Sequence, residues 1–376
     1  MNRKITFGTR MLPMQYVLFI LILFSGSAST SEAEMLPLPN TLKDNVRFWI
    51  KVFTQVSSDQ VVLHDRNYPD IIYTVIPVDS TEDWEKVTKI RTHIEENLKA
   101  LSQSGVAEND SLTRFQYQLD MLWSSVQDPE KFITASENIR AQRGLKDRFQ
   151  QSIVRSGRFL PFIKSVFNEY DIPEALCYLP HVESSFNWNA RSKVGAAGMW
   201  QFTSYTARHY MKINSIVDER YDPITSTVAA AKLLKDNYDE LQSWPLAITA
   251  YNYGLNGIRR ASEKHATREL GEIIEQHRSR LFGFASKNFY AEFYAAWKVA
   301  TEYETYFGEL DLLPQVQYKS IVLDRHATLE QLSLEYDIDP ATIKQYNPAY
   351  RISVKVIPAG YTVRLPSTAG SLNEQS

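Results

Sequence analysis

"PHVESSFNWNARSKVGAAGMWQF", Pro180 to Phe202, decides how this chain is read. It holds one carboxylate, Glu183, among apolar, serine and asparagine residues, and no second acid. Carboxylates that act on sugars usually work in pairs. Glu183 is therefore a stray charge, a structural capping residue or a lone general acid. If a helix opening near Pro173 continues through this stretch, Leu176, Leu179, Glu183 and Phe186 share one face. Glu183 then lies in an apolar stripe, where burial without a cationic partner raises a carboxyl pKa. Raising it by about two pH units corresponds to roughly 2.7 kcal/mol in favour of the protonated form. A general acid working near neutral pH needs that preference. The competing reading displaces the stripe by one position, because Pro180 interrupts the local geometry.

Working outward, "RSKVGAAGMWQF" places two glycines around two alanines and then Met199, Trp200 and Gln201. Small residues permit close backbone approach, and an amide beside aromatics suits the hydroxyls and apolar faces of a sugar. Further on, "AITAYNYGLNGI" sets Tyr251 and Asn252 before Gly254 and Gly257, a polar pair at a predicted helix end. Each feature alone is compatible with plain structure; together they point to a sugar cleft.

The rest of the chain predicts a mainly α protein. Residues 35–130 read as a mixed, mostly helical module of no evident chemistry, with a turn at Asn67 to Asp70 and a strand over Ile71 to Val78. Helical spacing follows from Thr81 through Leu101 and again from Asp110 to Gln127. Residues 131–170 read as basic helices, with Arg140, Arg143, Lys146, Arg148, Arg155 and Arg158 on a solvated face or a groove for acidic peptide stems. The pattern stays helical to about residue 305, with Asp171 and Asp222 as candidate N-caps before early prolines. Beyond a linker near "DLLPQVQ", residues 318–366 predict strand, helix, helix and strand, with Thr328 and Gln331 as a capping box and Asp339 as a cap. Residues 367–376 are polar and read as a disordered tail.

Composition removes several alternatives. A net charge of −3 gives no reason to expect nucleic acid. Cys177 is the only cysteine, so no intramolecular disulfide can form, and the seven histidines show no HExxH spacing, so neither a metal nor a cofactor is expected. At the start, Arg3, Lys4 and Arg10 precede the apolar run Tyr16 to Phe24 and then small residues, which reads as an export signal over residues 1–28. The run is short for a membrane span; retained uncleaved, it would associate the chain with the membrane. No cysteine stands near its end to take a lipid. The segment itself implies export.

Glu183-Ser184, "GMWQ" at Gly198 to Gln201 and "AYN" at Ala250 to Asn252 resemble the successive motifs of the family-1 lytic transglycosylases. The arrangement is most similar to the membrane-bound lytic murein transglycosylase D type, over roughly residues 135–305. The resemblance implies a lysozyme-like SLT domain, placed at 131–310, that cleaves the MurNAc–GlcNAc β-1,4 bond of peptidoglycan and leaves 1,6-anhydroMurNAc ends. It implies Glu183 as the single acid/base, Ser192 and Gln201 as substrate contacts, and Tyr251 and Asn252 near the acid. Tyr290, in "NFYAEF", matches a tyrosine that hydrogen-bonds the glutamate. Met199-Trp200 departs from the usual Leu-Met. The periplasm of a Gram-negative cell envelope is the location that the family resemblance of these catalytic motifs implies. Residues 318–366 resemble a LysM domain, which implies binding to GlcNAc-containing chains, although "DRHATL" replaces the usual Gly-Asp with His326 and Ala327. Two rival functions remain at this level: a hydrolytic muramidase of the goose-lysozyme kind, with Asp218 or Asp222 as base, and a non-catalytic peptidoglycan-binding protein.

Overall fold

The computed structural model describes residues 35–103, 112–351 and 353–367. The export segment and the polar tail beyond Ser367 lie outside the described residues. Among the described residues no helix is long and apolar enough to cross a membrane. The described residues are mainly helical, with one three-stranded and one two-stranded sheet among them.

The main core runs from Leu36 to Ala300 and gathers most helices. Its first helix, Lys43–Thr54, buries Val46, Phe48, Trp49, Val52 and Phe53 on one side, the three- and four-residue spacing of a helix face. That side packs on the helix Phe284–Thr301, where Asn288 Oδ1 accepts from Asn45 Nδ2 (2.9 Å) and Trp49 Nε1 (3.3 Å).

Strand β1 (Gln60–Asp65) explains how a second core attaches. It pairs antiparallel with β2 (Ile72–Pro77) on one side and β3 (Ile139–Arg143) on the other. Successive side chains of a strand point to opposite faces. Val61 and Leu63 enter a satellite core with Ile94, Leu98, Leu119 and Trp123, while Val62 enters the main core. The satellite helices are Thr81–Gln103, Arg114–Leu122 and Lys131–Glu137.

Two sequence expectations are corrected here. The stretch 131–170 is not wholly helical, because Ile139 to Arg143 completes the sheet beside β1. A boundary at residue 130 cuts through packed structure: the helix Lys131–Glu137 and β3 belong with the satellite, whereas Lys43–Thr54 belongs to the main core. The crossing back occurs at Gly144, where a Cβ would stand 2.3 Å from the Ser57 carbonyl oxygen, so only glycine fits.

The C-terminal segment forms β4 (Tyr318–Val322), helices Leu329–Tyr336 and Pro340–Tyr346, and β5 (Thr362–Pro366), with β4 and β5 antiparallel. Thr328 and Gln331 make a reciprocal capping box, and Asp339 accepts from Thr342 N. Its small core of Leu332, Ile343, Val363 and Leu365 also takes in Val217 from the main body. Arg364 pairs with Asp222, and Arg351 Nε donates to Asn214 O (2.6 Å), so the segment is docked on the 214–222 loop.

Candidate active site

Glu183 does not sit mid-helix. A 3-10 helix, Glu174–Tyr178, is followed by the four-residue helix Pro180–Glu183, and Ser185 and Phe186 then adopt left-handed backbone (φ +55° and +56°). The expected continuous stripe through Phe186 is therefore corrected. Asp171 is itself left-handed (φ +53°), and Pro173 precedes the 3-10 helix. Glu183 is the last residue of its helix, and the chain turns sharply beyond it. That turn is braced. Phe186 is fully buried and its N–H donates to Pro180 O (3.1 Å), while Arg155 Nε donates to Ser185 O (2.8 Å). His181 is buried one turn back, its Nδ1 2.6 Å from Ser152 Oγ and its ring stacked on Phe149. Burial, then the Arg155 charge, holds that histidine down to about 3, so it is a neutral brace at working pH.

The "GMWQ" segment folds against this corner. Ser184 Oγ donates to Met199 O (2.7 Å), and Tyr251 OH donates to Trp200 O (2.7 Å). Met199 and Trp200 are buried core residues, and Trp200 Nε1 donates to Thr227 Oγ1 (2.9 Å). Gly198 (φ +79°) lies so close to the Arg220 carbonyl that a Cβ would be 1.7 Å from its oxygen. Gln201, also left-handed (φ +48°), donates from Nε2 to Gly198 O (2.8 Å). Ser192 Oγ accepts from Ala196 N (3.0 Å), closing the turn around Gly195. Both side chains thus shape the loop beside the acid.

Tyr251 comes from the end of the helix Trp244–Tyr253, and the chain leaves through Gly254 (φ +94°). Burial first, and the charge of Glu183 second, raise its phenol pKa. Asn252 is exposed and accepts from Ser286 Oγ (3.0 Å), tying this helix end to the start of Phe284–Thr301.

Tyr290 does not meet Glu183. It is fully buried and its hydroxyl donates to Pro37 O (3.0 Å), a link to the N-terminal segment. Two residues along a helix differ by about 200° in direction, so Glu292 leaves the other side of that helix. Glu292 is the functional candidate that the sequence reading missed. When ionised, its carboxylate raises the Glu183 carboxyl, and the Arg140 charge from β3 acts on Glu292 in turn. Arg140 itself stacks over the Phe284 ring at 4.2 Å. The signal was available: a lone acid in "NFYAEFYAAW", a helix whose neighbours are almost all apolar and buried.

The electrostatics follow from this packing. Burial, then Glu292, push the Glu183 carboxyl from an ordinary 4.5 up to about 8. Burial pushes Glu292 to about 8 as well, with Arg140 opposing it. Neither shift is opposed by a hydrogen bond to the ionised form. Asp218 differs: burial raises its carboxyl, but the bidentate pair with Arg220 (2.8 and 2.9 Å) outweighs this and holds it below normal. Asp222 accepts from Ile224 N and Thr225 N, caps the helix Pro223–Leu241 and pairs with Arg364. Both aspartates are engaged in structure.

Residues 162–274 match the family described as the Transglycosylase SLT domain. That span contains Glu183, Ser192, Gln201, Tyr251 and Asn252 and ends before Glu292. The chain is similar to membrane-bound lytic murein transglycosylase D of Escherichia coli (strain K12), 27% identical over 192 residues, 47% of this chain and 42% of the relative. Among solved structures it is similar to the 70 kDa soluble lytic transglycosylase of Escherichia coli (21% identity, 37% of this chain, 24% of that chain, TM-score 0.32). A second is an inactive mutant of lytic transglycosylase Slt from Pseudomonas aeruginosa (17% identity, 53% of this chain, 31% of that chain, TM-score 0.31). The chain spans less than half the length of each of these relatives.

Proposed function

We propose that this protein is a peptidoglycan lytic transglycosylase that cleaves the MurNAc–GlcNAc β-1,4 bond and leaves a 1,6-anhydroMurNAc end. The observation that carries the reading is the state of Glu183: a carboxyl at a tight helix end beside Tyr251, protonated up to about pH 8, with Asp218 and Asp222 both bound elsewhere. A protonated Glu183 gives its proton to the glycosidic oxygen as the bond to C1 breaks. As a carboxylate it then takes the proton from the 6-hydroxyl of the same muramic acid, and that oxygen bonds to C1. No water is consumed, and Glu183 ends as it began. An internal nucleophile gains from effective molarity and needs no positioned water.

A goose-lysozyme-like hydrolysis requires an ionised base to activate water. Neither aspartate is free for that task, and Glu292, raised to about 8, is uncharged at neutral pH. The positions of Ser192 and Gln201 on the loop beside Glu183, and of Asn252 at the end of the helix that carries Tyr251, support roles in holding the sugar chain. The strand–helix–helix–strand order of the C-terminal segment supports a LysM-type module that binds GlcNAc-containing strands. These assignments, with a basic, apolar leader, support action in the periplasm. Turnover of purified sacculi by Glu183→Gln tests the reading: loss of general acid/base catalysis lowers the rate about 100-fold or more, and full activity in that variant overturns it.

A further inference from the structure

A cleft of about 340 Å³ lies between the main body and the C-terminal segment, floored by the linker around Gln315 and Gln317. It is at the small end of the roughly 300–1,000 Å³ of ligand sites. The linker is fixed, because Leu313 N donates to Val154 O (2.9 Å) and Val316 N donates to Arg158 O (3.2 Å). The walls carry aromatic rings, Trp188 and Tyr346 among them, and two arginines, Arg158 and Arg364. Trp188 stands five residues beyond Glu183, on the chain whose turn Arg155 braces at Ser185.

The two arginines give the cleft its chemistry. Arg364 is partly satisfied: it pairs with Asp222, and its other terminal nitrogen lies 3.4 Å from Thr225 Oγ1, but its Nε is buried without a partner among the described residues. Arg158 has neither an ion pair nor a side-chain hydrogen bond there, and its Nε is buried. Buried donors in native proteins are normally paired. Asp222 is neutralised by Arg364, so the cleft keeps one uncompensated positive charge. A cation with a flat donor fork suits a carboxylate, while aromatic faces and side-chain amides suit sugar rings.

We propose that this cleft binds a carboxylate-bearing amino-sugar strand, seating chain that extends away from the bond cut at Glu183. The inference rests on the lytic reading above and adds a specific acidic-glycan site that neither that acid nor the C-terminal segment supplies alone. Arg158 takes the carboxylate, and Trp188 and Tyr346 take sugar faces.

The test is calorimetric titration of the full chain carrying Glu183→Gln, with and without Arg158→Gln or Trp188→Ala. The probes are peptide-free glycan strands, peptide-bearing strands and neutral chito-oligosaccharide. Arg158→Gln weakens acidic strands about tenfold or more, the scale of one charge-assisted hydrogen-bonded pair, and leaves chito-oligosaccharide binding unchanged. Trp188→Ala weakens acidic and neutral chains alike. Dependence on Arg158 in the peptide-free arm identifies the lactyl carboxylate; dependence only in the peptide-bearing arm identifies the stem. Dependence in neither overturns the proposal. If Arg158→Gln does not fold, carbodiimide-amidated strands replace it: the same loss is expected with Arg158 intact, and equal affinity overturns the site. Sacculus lysis by the unaltered chain is measured alongside. Lysis with Arg158-independent binding removes the cleft alone, whereas no lysis removes the reading on which it rests.

Discussion

Replacing Glu183 with glutamine should stabilise the fold at alkaline pH and leave it nearly unchanged in acid. In the folded protein the carboxyl releases its proton near 8; in the unfolded chain it does so near 4.5. Below 4.5 both states hold the proton and Glu183 behaves much like glutamine. As pH rises through that window, the unfolded state ionises while the folded state does not, so wild-type stability falls. Above about 8 the loss is complete. The gap of 3.5 pH units, at about 1.36 kcal/mol each, caps the effect near 5 kcal/mol. Because Glu183 keeps some solvent contact and titrates alongside Glu292, about 2 kcal/mol is the expected size. Urea unfolding at pH 4.5, 7 and 9 measures it. A Glu183→Gln advantage that grows with pH is expected; one that is constant or falls refutes the claim that burial holds this acid protonated.

Other consequences follow from the same geometry. Glu292→Gln removes the charge that repels the Glu183 carboxylate, so the basic limb of the pH–rate profile should move to lower pH, and an unmoved limb would show no coupling. Asp218→Asn breaks a buried pair with Arg220 and should cost about 3 kcal/mol in denaturant unfolding, while turnover per folded molecule persists; selective loss of turnover would instead favour a hydrolytic base. Tyr290→Phe loses the bond to Pro37 O and should cost about 1 kcal/mol with kcat unchanged, and a fall in kcat would return Tyr290 to the site.

Much of this was legible in the sequence where the signal is local. Caps at Asp222, Thr328 and Asp339 announce themselves because a side-chain oxygen bonds backbone two or three residues away. Glu183 stood out because an unpaired acid among apolar residues is rare, although the helix assumed around it is broken at Ser184. What escaped depends on long-range packing. β3 has a basic composition and becomes a strand because β1 needs a second edge partner. The direction of Tyr290 is set by the N-terminal segment, whose Pro37 carbonyl claims its hydroxyl across more than 250 residues. Glu292 lay two positions further on, and only the packing of helix Phe284–Thr301 on the Glu183 corner brings the two carboxyls together.

The most direct measurement digests purified sacculi in heavy-oxygen water and weighs the muropeptides released. If the sugar's own 6-hydroxyl is the nucleophile, the new muramic acid ends are anhydro, one water lighter than reducing ends, and carry no heavy oxygen. Reducing ends that incorporate the label would contradict the account and make the protein a hydrolase.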